Sequence, residues 1–113
     1  GSGDEEKSDG EIKPQHIHII KDLILNPAGT NGQRYLLTTI AFNVSSEEAL
    51  KELEANEIAV RDVLNSVLTS KTMDQLIDVT QRESLREEIQ KKAGGLMSHG
   101  KIKSVYFSKY IVQ

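Results

Sequence analysis

The chain has 113 residues and a formal net charge of −3, and residues 1–15 account for the whole of that charge. Residues 16–113 carry equal numbers of acidic and basic side chains, which argues against a general phosphate-backbone binder because such proteins need an excess of Lys and Arg. The chain has no cysteine, which excludes thiol catalysis, disulfides and cysteine-ligated metal. No apolar run approaches the roughly 18 to 20 residues that span a bilayer. Length and composition therefore predict one small soluble domain with its own core.

The first residues differ from the rest in composition. Gly1-Ser2-Gly3 is typical of an expression remnant. Residues 1–15 are rich in Asp, Glu, Lys, Ser and Gly and show no apolar periodicity, so they cannot bury enough surface to offset the entropy cost of ordering. We expect a flexible acidic linker over residues 1–15 and the folded domain over residues 16–113.

The folded part begins with a predicted β-hairpin. Apolar and β-branched residues are dense over His16–Leu25, and their period slips at Lys21-Asp22, which predicts a strand with a bulge. Asn26–Gln33 contains one proline, two glycines and two asparagines, so it forms the hairpin loop. Arg34–Val44 alternates in polarity and predicts a second strand with one core-facing side. The core-facing residues are Leu36, Thr38, Ile40, Phe42 and Val44.

Two helical regions follow the hairpin. Ser45 stands three residues before Glu48, a capping pattern that predicts a helix start. This helix should run to about Ser70 with a break near Asn56. Its apolar stripe consists of Leu50, Leu53, Val60, Leu64 and Val67.

The second region repeats the capping pattern twice. Thr72 stands before Gln75 at the start of a short helical turn, and Thr80 stands before Glu83 at the start of a third helix. We expect this third helix to stop at Gly100 and to contain Gly94-Gly95, which cost about 1 kcal/mol each in a helix interior. Its stripe consists of Leu85, Ile89, Ala93, Leu96 and Met97.

The last segment, Ile102–Gln113, predicts a strand that is apolar on both faces. One predicted face holds Val105, Phe107 and Ile111, and Phe107 should point into the main core. The other holds Ile102, Tyr106, Tyr110 and Val112. A strand of this kind is central in its sheet or covered by a partner, and for Tyr106 and Tyr110 a place in the core is favoured over a partner surface. The elements together predict an α/β (α+β) fold, in which a small antiparallel or mixed three-stranded sheet packs against helices.

Few residues carry recognisable chemistry. His16 and His18 alternate on a strand and point the same way, and with His99 they form a candidate metal site. We favour the simpler interpretation that these histidines are polar surface, and no nucleophile motif accompanies them. Arg61 and Asp62 lie within an apolar stretch, which leaves open whether the pair is partly buried or belongs to a solvated helix face. No cofactor or metal is expected, although a small metal- or ligand-binding module stays an alternative.

Several segments resemble the FliL family of flagellar basal-body-associated proteins. Val105–Gln113 resembles the family's closing strand, which ends in aromatic, aliphatic, aliphatic and Gln residues. Val60–Leu64, with its Arg-Asp step, and Leu68–Thr72 resemble a family helix and its exit. Arg34–Leu36 resembles the start of the second strand, and Arg82–Ile89 resembles a later helix. The resemblance covers residues 16–113 and implies a domain similar to that of stomatin and prohibitin.

The resemblance implies a non-enzymatic motor assembly protein. Family members are single-pass proteins of the bacterial inner membrane whose soluble domain lies in the periplasm. This domain is therefore expected to form a homo-oligomeric ring around the stator proteins MotA and MotB, in contact with the periplasmic linker of MotB, and not to bind nucleic acid. Residues 1–15 would follow a membrane helix that is missing from this chain. The candidate structural and interaction residues are Arg61, Asp62, Tyr106, Phe107, Tyr110 and Gln113, together with Glu52 and Lys91 as exposed helix positions in the self-contact.

Overall fold

The computed structural model describes residues 15–113, and the predicted leader lies outside these residues except for its last residue. The described part is an α+β domain with one three-stranded sheet and helices on one of its faces. The likeness to stomatin and prohibitin stays a prediction. In chain order the elements are β1 (His16–Leu25), β2 (Leu36–Val44), α1 (Glu47–Ala55), α2 (Glu57–Thr69), α3 (Met73–Ile77), a 3₁₀ turn (Val79–Gln81), α4 (Arg82–Gly94) and β3 (Ile102–Val112).

The sheet is antiparallel with strand order β1-β2-β3. Of the two alternatives for the terminal strand, a central place was wrong, because β2 occupies the centre and β3 is an edge within the described residues, while cover by a partner stays a prediction. Pairing on both sides leaves eight of the nine β2 side chains buried, the exception being Leu37. The β2 side chains that face the helices therefore lie in the core, and those on the other face lie between side chains of the neighbouring strands.

The bulge predicted in β1 is confirmed. Ile20 pairs with Ile40 and Leu23 with Thr38, so β1 has one more residue than β2 over this interval. Asp22 adopts a φ of 56° in the bulge, a conformation that Asp tolerates better than β-branched residues do. The extra residue lets Ile20 and Leu23 face the helices although they are three apart in sequence.

Two further bulges in β3 overturn the predicted faces of that strand. Lys103 and Ser108 are each an extra residue relative to β2. Each bulge reverses the side on which the following residues lie. The helix face therefore holds Ile102, Val105, Phe107, Tyr110 and Val112, and the other face holds Tyr106 and Ile111. Phe107 does face the core as predicted, but it is only partly buried.

The helices close the core over this face of the sheet. Apolar side chains at helical spacing point inward from α1, α2 and α4, as the sequence stripes predicted. The predicted break at Asn56 is confirmed, since Asn56 alone separates α1 from α2. Fully buried members of the core include Ile20, Leu36, Ile40, Phe42, Leu53, Val60, Leu64, Leu68 and Ile89.

The predicted helix caps are confirmed only in part. Thr72 and Gln75 form a complete capping box at α3. At α1 the cap is Ser46, whose hydroxyl accepts from Ala49 N–H, while the Ser45 hydroxyl accepts from Lys101 N–H instead. Thr80 does not cap α4, because its N–H and hydroxyl both donate to Asp78.

The carboxyl end of α4 also differs from the prediction. The helix ends at Gly94, so the two neighbouring glycines lie at its end and not in its interior. Gly100 has a φ of 141°, and a Cβ there would lie 2.6 Å from the Ala49 Cβ. Gly100 is therefore required where the chain leaving α4 passes close against α1.

Candidate interaction surfaces

The three histidines do not come together. His16 Nδ1 lies 3.5 Å from Glu47, and His18 Nε2 lies 2.9 Å from Glu57. His99 Nδ1 lies 3.6 Å from Glu52, which belongs to another part of α1. Within residues 15–113, no three His, Cys, Asp or Glu side chains are grouped so that they could hold a metal ion. Each histidine instead joins its own segment to the pair of helices α1 and α2.

Arg61 and Asp62 lie on the solvated face of α2, which settles the alternative left open by the sequence. Both side chains are exposed, and Arg61 Nε donates to Glu57 at 3.0 Å and not to its neighbour Asp62. The hydrogen bond from Arg61 is the main cause that lowers the pKa of Glu57, with further contributions from the charges of Arg61 and His18. Glu57 thus ties α2 to β1 through His18. Arg61 pairs with Glu57, and among the described residues no cationic side chain forms an ion pair with Asp62.

Glu52 has a structural role in the folded chain. Its side chain is only 14% exposed, and its carboxylate accepts hydrogen bonds from Ser98 N–H at 2.6 Å and His99 N–H at 2.8 Å. The bond from His99 N–H is the largest cause that lowers the pKa of Glu52. Glu52 therefore holds the loop between α4 and β3 against α1, and it is not the exposed helix position that the sequence suggested.

Phe107 and Tyr110 form a small aromatic cluster under α4. Their rings meet edge to face at 5.2 Å, and the guanidinium of Arg82 stacks on Tyr110 at 3.7 Å from the ring centre. The Tyr110 hydroxyl donates to Leu76 C=O at 2.7 Å, and burial raises the pKa of Tyr110. These contacts fasten the edge strand β3 to the helices, which confirms the core assignment favoured for Tyr110.

Gln113 closes the sheet at the end of the chain. Its backbone exchanges two hydrogen bonds with Tyr35, at 2.8 and 2.9 Å, and the Tyr35 hydroxyl donates to its side-chain oxygen. Gln113 therefore fixes the end of β3 to the start of β2.

The outer face of the sheet, opposite the helices, carries exposed apolar side chains. Tyr106 is part of this face and is 46% exposed, so the core position favoured for it was wrong. A row across the sheet joins Ile19, Ala41 and Tyr106. The other large apolar side chains exposed on this face are Ile17, Ile19, Ile24 and Ile111, whose exposure ranges from 37% to 67%.

A polar row interrupts this apolar face. Lys109 Nζ forms a 2.8 Å ion pair with Asp22 across the sheet, and Asp22 N–H donates to the Thr39 hydroxyl at 3.1 Å. The hydrogen bond from Lys109 is the largest cause that lowers the pKa of Asp22. On the far side of this row, Ile24 and Ile111 flank Leu37. The outer face thus presents two apolar rows with a charged pair between them.

Sequence reasoning missed this arrangement because both bulges in β3 were unseen. A strict alternation places Ile111 with Val105 and places Tyr106 with Tyr110, whereas the structure separates each of these pairs. A polar residue within an apolar strand, such as Ser108 here, is the available sequence signal for such a bulge.

Comparisons with known proteins agree on one family. The family model of flagellar basal body-associated protein FliL matches residues 17–113. Over 107 residues the chain is 27% identical to flagellar protein FliL of Aquifex aeolicus (strain VF5), a match that covers 91% of this chain and 66% of that protein. Over 74 residues it is 26% identical to flagellar protein FliL of Bacillus subtilis (strain 168), covering 66% of this chain and 53% of that protein.

The chain spans about two thirds of one of these relatives and about half of the other. Over residues 15–113, no helix has both the length and the apolar character that crossing a bilayer requires. Since the family model covers nearly the whole described domain, the chain belongs to the FliL family of flagellar basal body-associated proteins.

Proposed function

We propose that this domain is a non-enzymatic assembly module of the flagellar motor. Copies of the chain associate side by side around the ion-driven stator and contact the periplasmic linker of the stator protein MotB. The chain is anchored in the inner membrane by a helix that precedes the domain, and the domain lies in the periplasm. Family membership and the form of the domain's surface support this proposal.

The outer sheet face is the observation that carries the proposal. A surface with apolar side chains exposed in two rows is typical of a site where another protein docks. Ile24 is 67% exposed and Ile19 is 49% exposed, so a partner that covers them removes apolar area from water. The ion pair between Asp22 and Lys109 fixes the position of a polar row between them, which favours one register of the bound segment.

The effect of the domain on the stator is energetic. A protein that binds one conformation of a partner more tightly than another shifts the partner toward the bound conformation by the difference in affinity. We propose that the domain binds the extended form of the MotB linker and so supports the active stator. A ratio of about 100 in affinity between the two forms corresponds to about 2.7 kcal/mol of such support.

The test uses the double variant Ile19→Thr/Ile24→Thr, because Thr keeps the β-branched shape that a strand favours. The matched control is Val79→Thr, a comparable change at a side chain that is 76% exposed on the 3₁₀ turn. Titration of the 113-residue chain with a MotB linker peptide should show binding by wild type and control and weaker binding by the double variant. Equal affinity for all three proteins, or no binding by any of them, would refute the role of the outer face.

A further inference from the structure

A groove lies between the end of α4 and the start of β3. It has a volume of about 370 Å³ and is lined by Glu87, Lys91, Gly94, Gly100, Lys101 and Ile102. The Gln90 side chain donates to Ile102 C=O at 2.9 Å and to Lys103 C=O at 3.1 Å, which holds the two walls together. We call this feature the α4 groove.

The α4 groove carries positive charge on its rims. Lys91 and Lys101 are exposed, and no carboxylate of the described residues lies within salt-bridge distance of either ammonium group. Glu87 is the one acidic side chain in the lining. The lining therefore contains two cationic side chains and one anionic side chain. It favours binding of a partner whose apolar side chain is flanked by carboxylates.

No close contact within the described domain requires glycine at position 94. A Cβ at this position would have no neighbour within 4 Å, and the backbone does not adopt a positive φ. Gly100 differs, because close contact with Ala49 requires it. The absence of a side chain at Gly94 leaves the groove open at this position, with room for a side chain of a partner.

The corner between α1 and α2 combines an exposed apolar side chain with exposed acidic ones. Ile58 is 87% exposed, the highest value for a large apolar side chain in the described part of the chain. The small residues Ala55 and Ala59 are its neighbours, and its exposure shows that the side chain projects into solvent. Glu54, near the end of α1, and Asp62 are both exposed, and Asp62 lies one turn after Ile58 on the same helix face. We call this feature the α1–α2 corner.

The two features are connected with different edge strands of the sheet. The corner is tied to edge strand β1 through the 2.9 Å contact of His18 with Glu57. The groove includes Ile102, the first residue of edge strand β3. Two different surfaces of one domain can join successive copies head to tail, and such contacts close into rings when the rotation allows.

We propose that the α1–α2 corner of one copy docks into the α4 groove of the next copy. Ile58 enters the groove above Gly94, Asp62 approaches Lys91, and Glu54 approaches Lys101. This inference rests on the proposed side-by-side assembly and names the residues that make the contact. Acidic side chains accompany the exposed Ile58 at the corner, and basic side chains line the rims of the open groove. Because the two surfaces are complementary in charge, we assign the groove to a second copy of this chain.

Disulfide trapping tests the contact directly, because the chain has no cysteine of its own. Two variants of the chain are mixed, one with Ala55→Cys at the corner and the other with Glu87→Cys at the groove. In the control mixture, Ser66→Cys, an exposed and nearly isosteric change on α2, takes the place of Ala55→Cys. At about millimolar concentration, the Ala55→Cys and Glu87→Cys variants should give about fivefold more mixed disulfide than the control pair, because disulfides form only between close and well-oriented positions. Equal yields for the two pairs would overturn the contact.

Filling the groove provides a second measurement. Gly94→Leu should reduce the trapped product to the control yield without lowering the melting temperature, since the added side chain meets open space. Gly95→Leu is the matched control, because Gly95 is next in sequence but does not line the groove. Unchanged trapping in the Gly94→Leu background would overturn the proposal.

A charge exchange tests the predicted pairing of Asp62 with Lys91. Asp62→Lys in the corner variant should lower the yield, and Lys91→Glu in the groove variant should restore it. Failure of this rescue would overturn the pairing. Loss of trapping specificity while the outer-face variant still weakens MotB binding would refute this contact and leave the proposed function standing. Specific trapping without any MotB binding would refute the stator role and leave the contact standing.

Discussion

The two faces of the sheet have different relations to the fold. On the helix face, Ile20, Ile40 and Phe42 are completely buried. On the outer face, Ile19 and Ile24 are about half and two thirds exposed, although they are the same type of residue on the same sheet. The side chains of the helix face supply the core, whereas the exposed isoleucines of the outer face contribute much less to stability.

This difference means that the stability of the domain and its binding to a partner depend on different faces of the sheet. Removing apolar area from water stabilises a protein by about 25 cal/mol per Å², so an exposed isoleucine gains little of that energy in the isolated domain. It gains the remainder only when another surface covers it. Changes on the helix face should therefore unfold the domain, and changes on the outer face should leave it folded while weakening a partner contact.

The largest effect is expected at Phe42. Phe42→Ala should lower the free energy of unfolding by about 3 to 5 kcal/mol, because the ring is fully buried at the centre of the sheet and its loss leaves a cavity. Chemical denaturation measures this loss. A loss below about 1 kcal/mol would mean that the helix face does not carry the core.

A smaller effect is expected at Phe107 on the edge strand. The ring faces the helices but is only partly buried, so Phe107→Ala should lose about 2 kcal/mol and not the full cost of a buried ring. The control is Tyr106→Ala on the opposite face, which should lose less in the same denaturation experiment. A larger loss for Tyr106→Ala would reverse the assignment of the two faces of β3.

Glu52 predicts a pH dependence of stability. Its pKa in the folded domain lies below its ordinary value of 4.5, mainly because the carboxylate accepts a hydrogen bond from His99 N–H. The stabilisation is therefore present above about pH 4.5 and is lost as the pH falls through the folded pKa. Glu52→Gln should lower the melting temperature at neutral pH and change it little in acid, with Glu54→Gln as the control. An equal difference at both pH values would contradict this role.

The smallest effect is expected from the leader. Deleting residues 4–13 should change the free energy of unfolding by less than about 0.5 kcal/mol, because that sequence offers no apolar periodicity with which to join a core. A fall of several degrees in melting temperature would refute the assignment of residues 1–15 as a linker.

Local sequence signals predicted much of the fold. The stripes of the helices, the capping box at Thr72, the break at Asn56 and the bulge near Asp22 each depend on residues close in sequence. A helix cap or a change of period is complete within a few residues. These features were therefore visible without the tertiary structure.

The features that the sequence did not predict depend on distant residues. The place of β3 at an edge follows from which strands pair, and its faces follow from the bulges at Lys103 and Ser108. Glu52 appeared to be an exposed helix residue because its partners, Ser98 and His99, are more than 40 positions away. Long-range pairing decides these contacts, and apart from the polar Ser108 within an apolar strand the local pattern does not indicate them.

The most direct test of the central claim measures stability and motility in one variant. Ile19→Thr/Ile24→Thr is made in a strain that produces the full-length protein, and the 113-residue chain with the same changes is unfolded by denaturant. The account predicts a change of less than about 1 kcal/mol in the free energy of unfolding, together with a loss of motility that Val79→Thr does not cause. Full motility of the double variant, or a loss of motility explained by an unfolded domain, would contradict the claim that the outer face is an interaction surface.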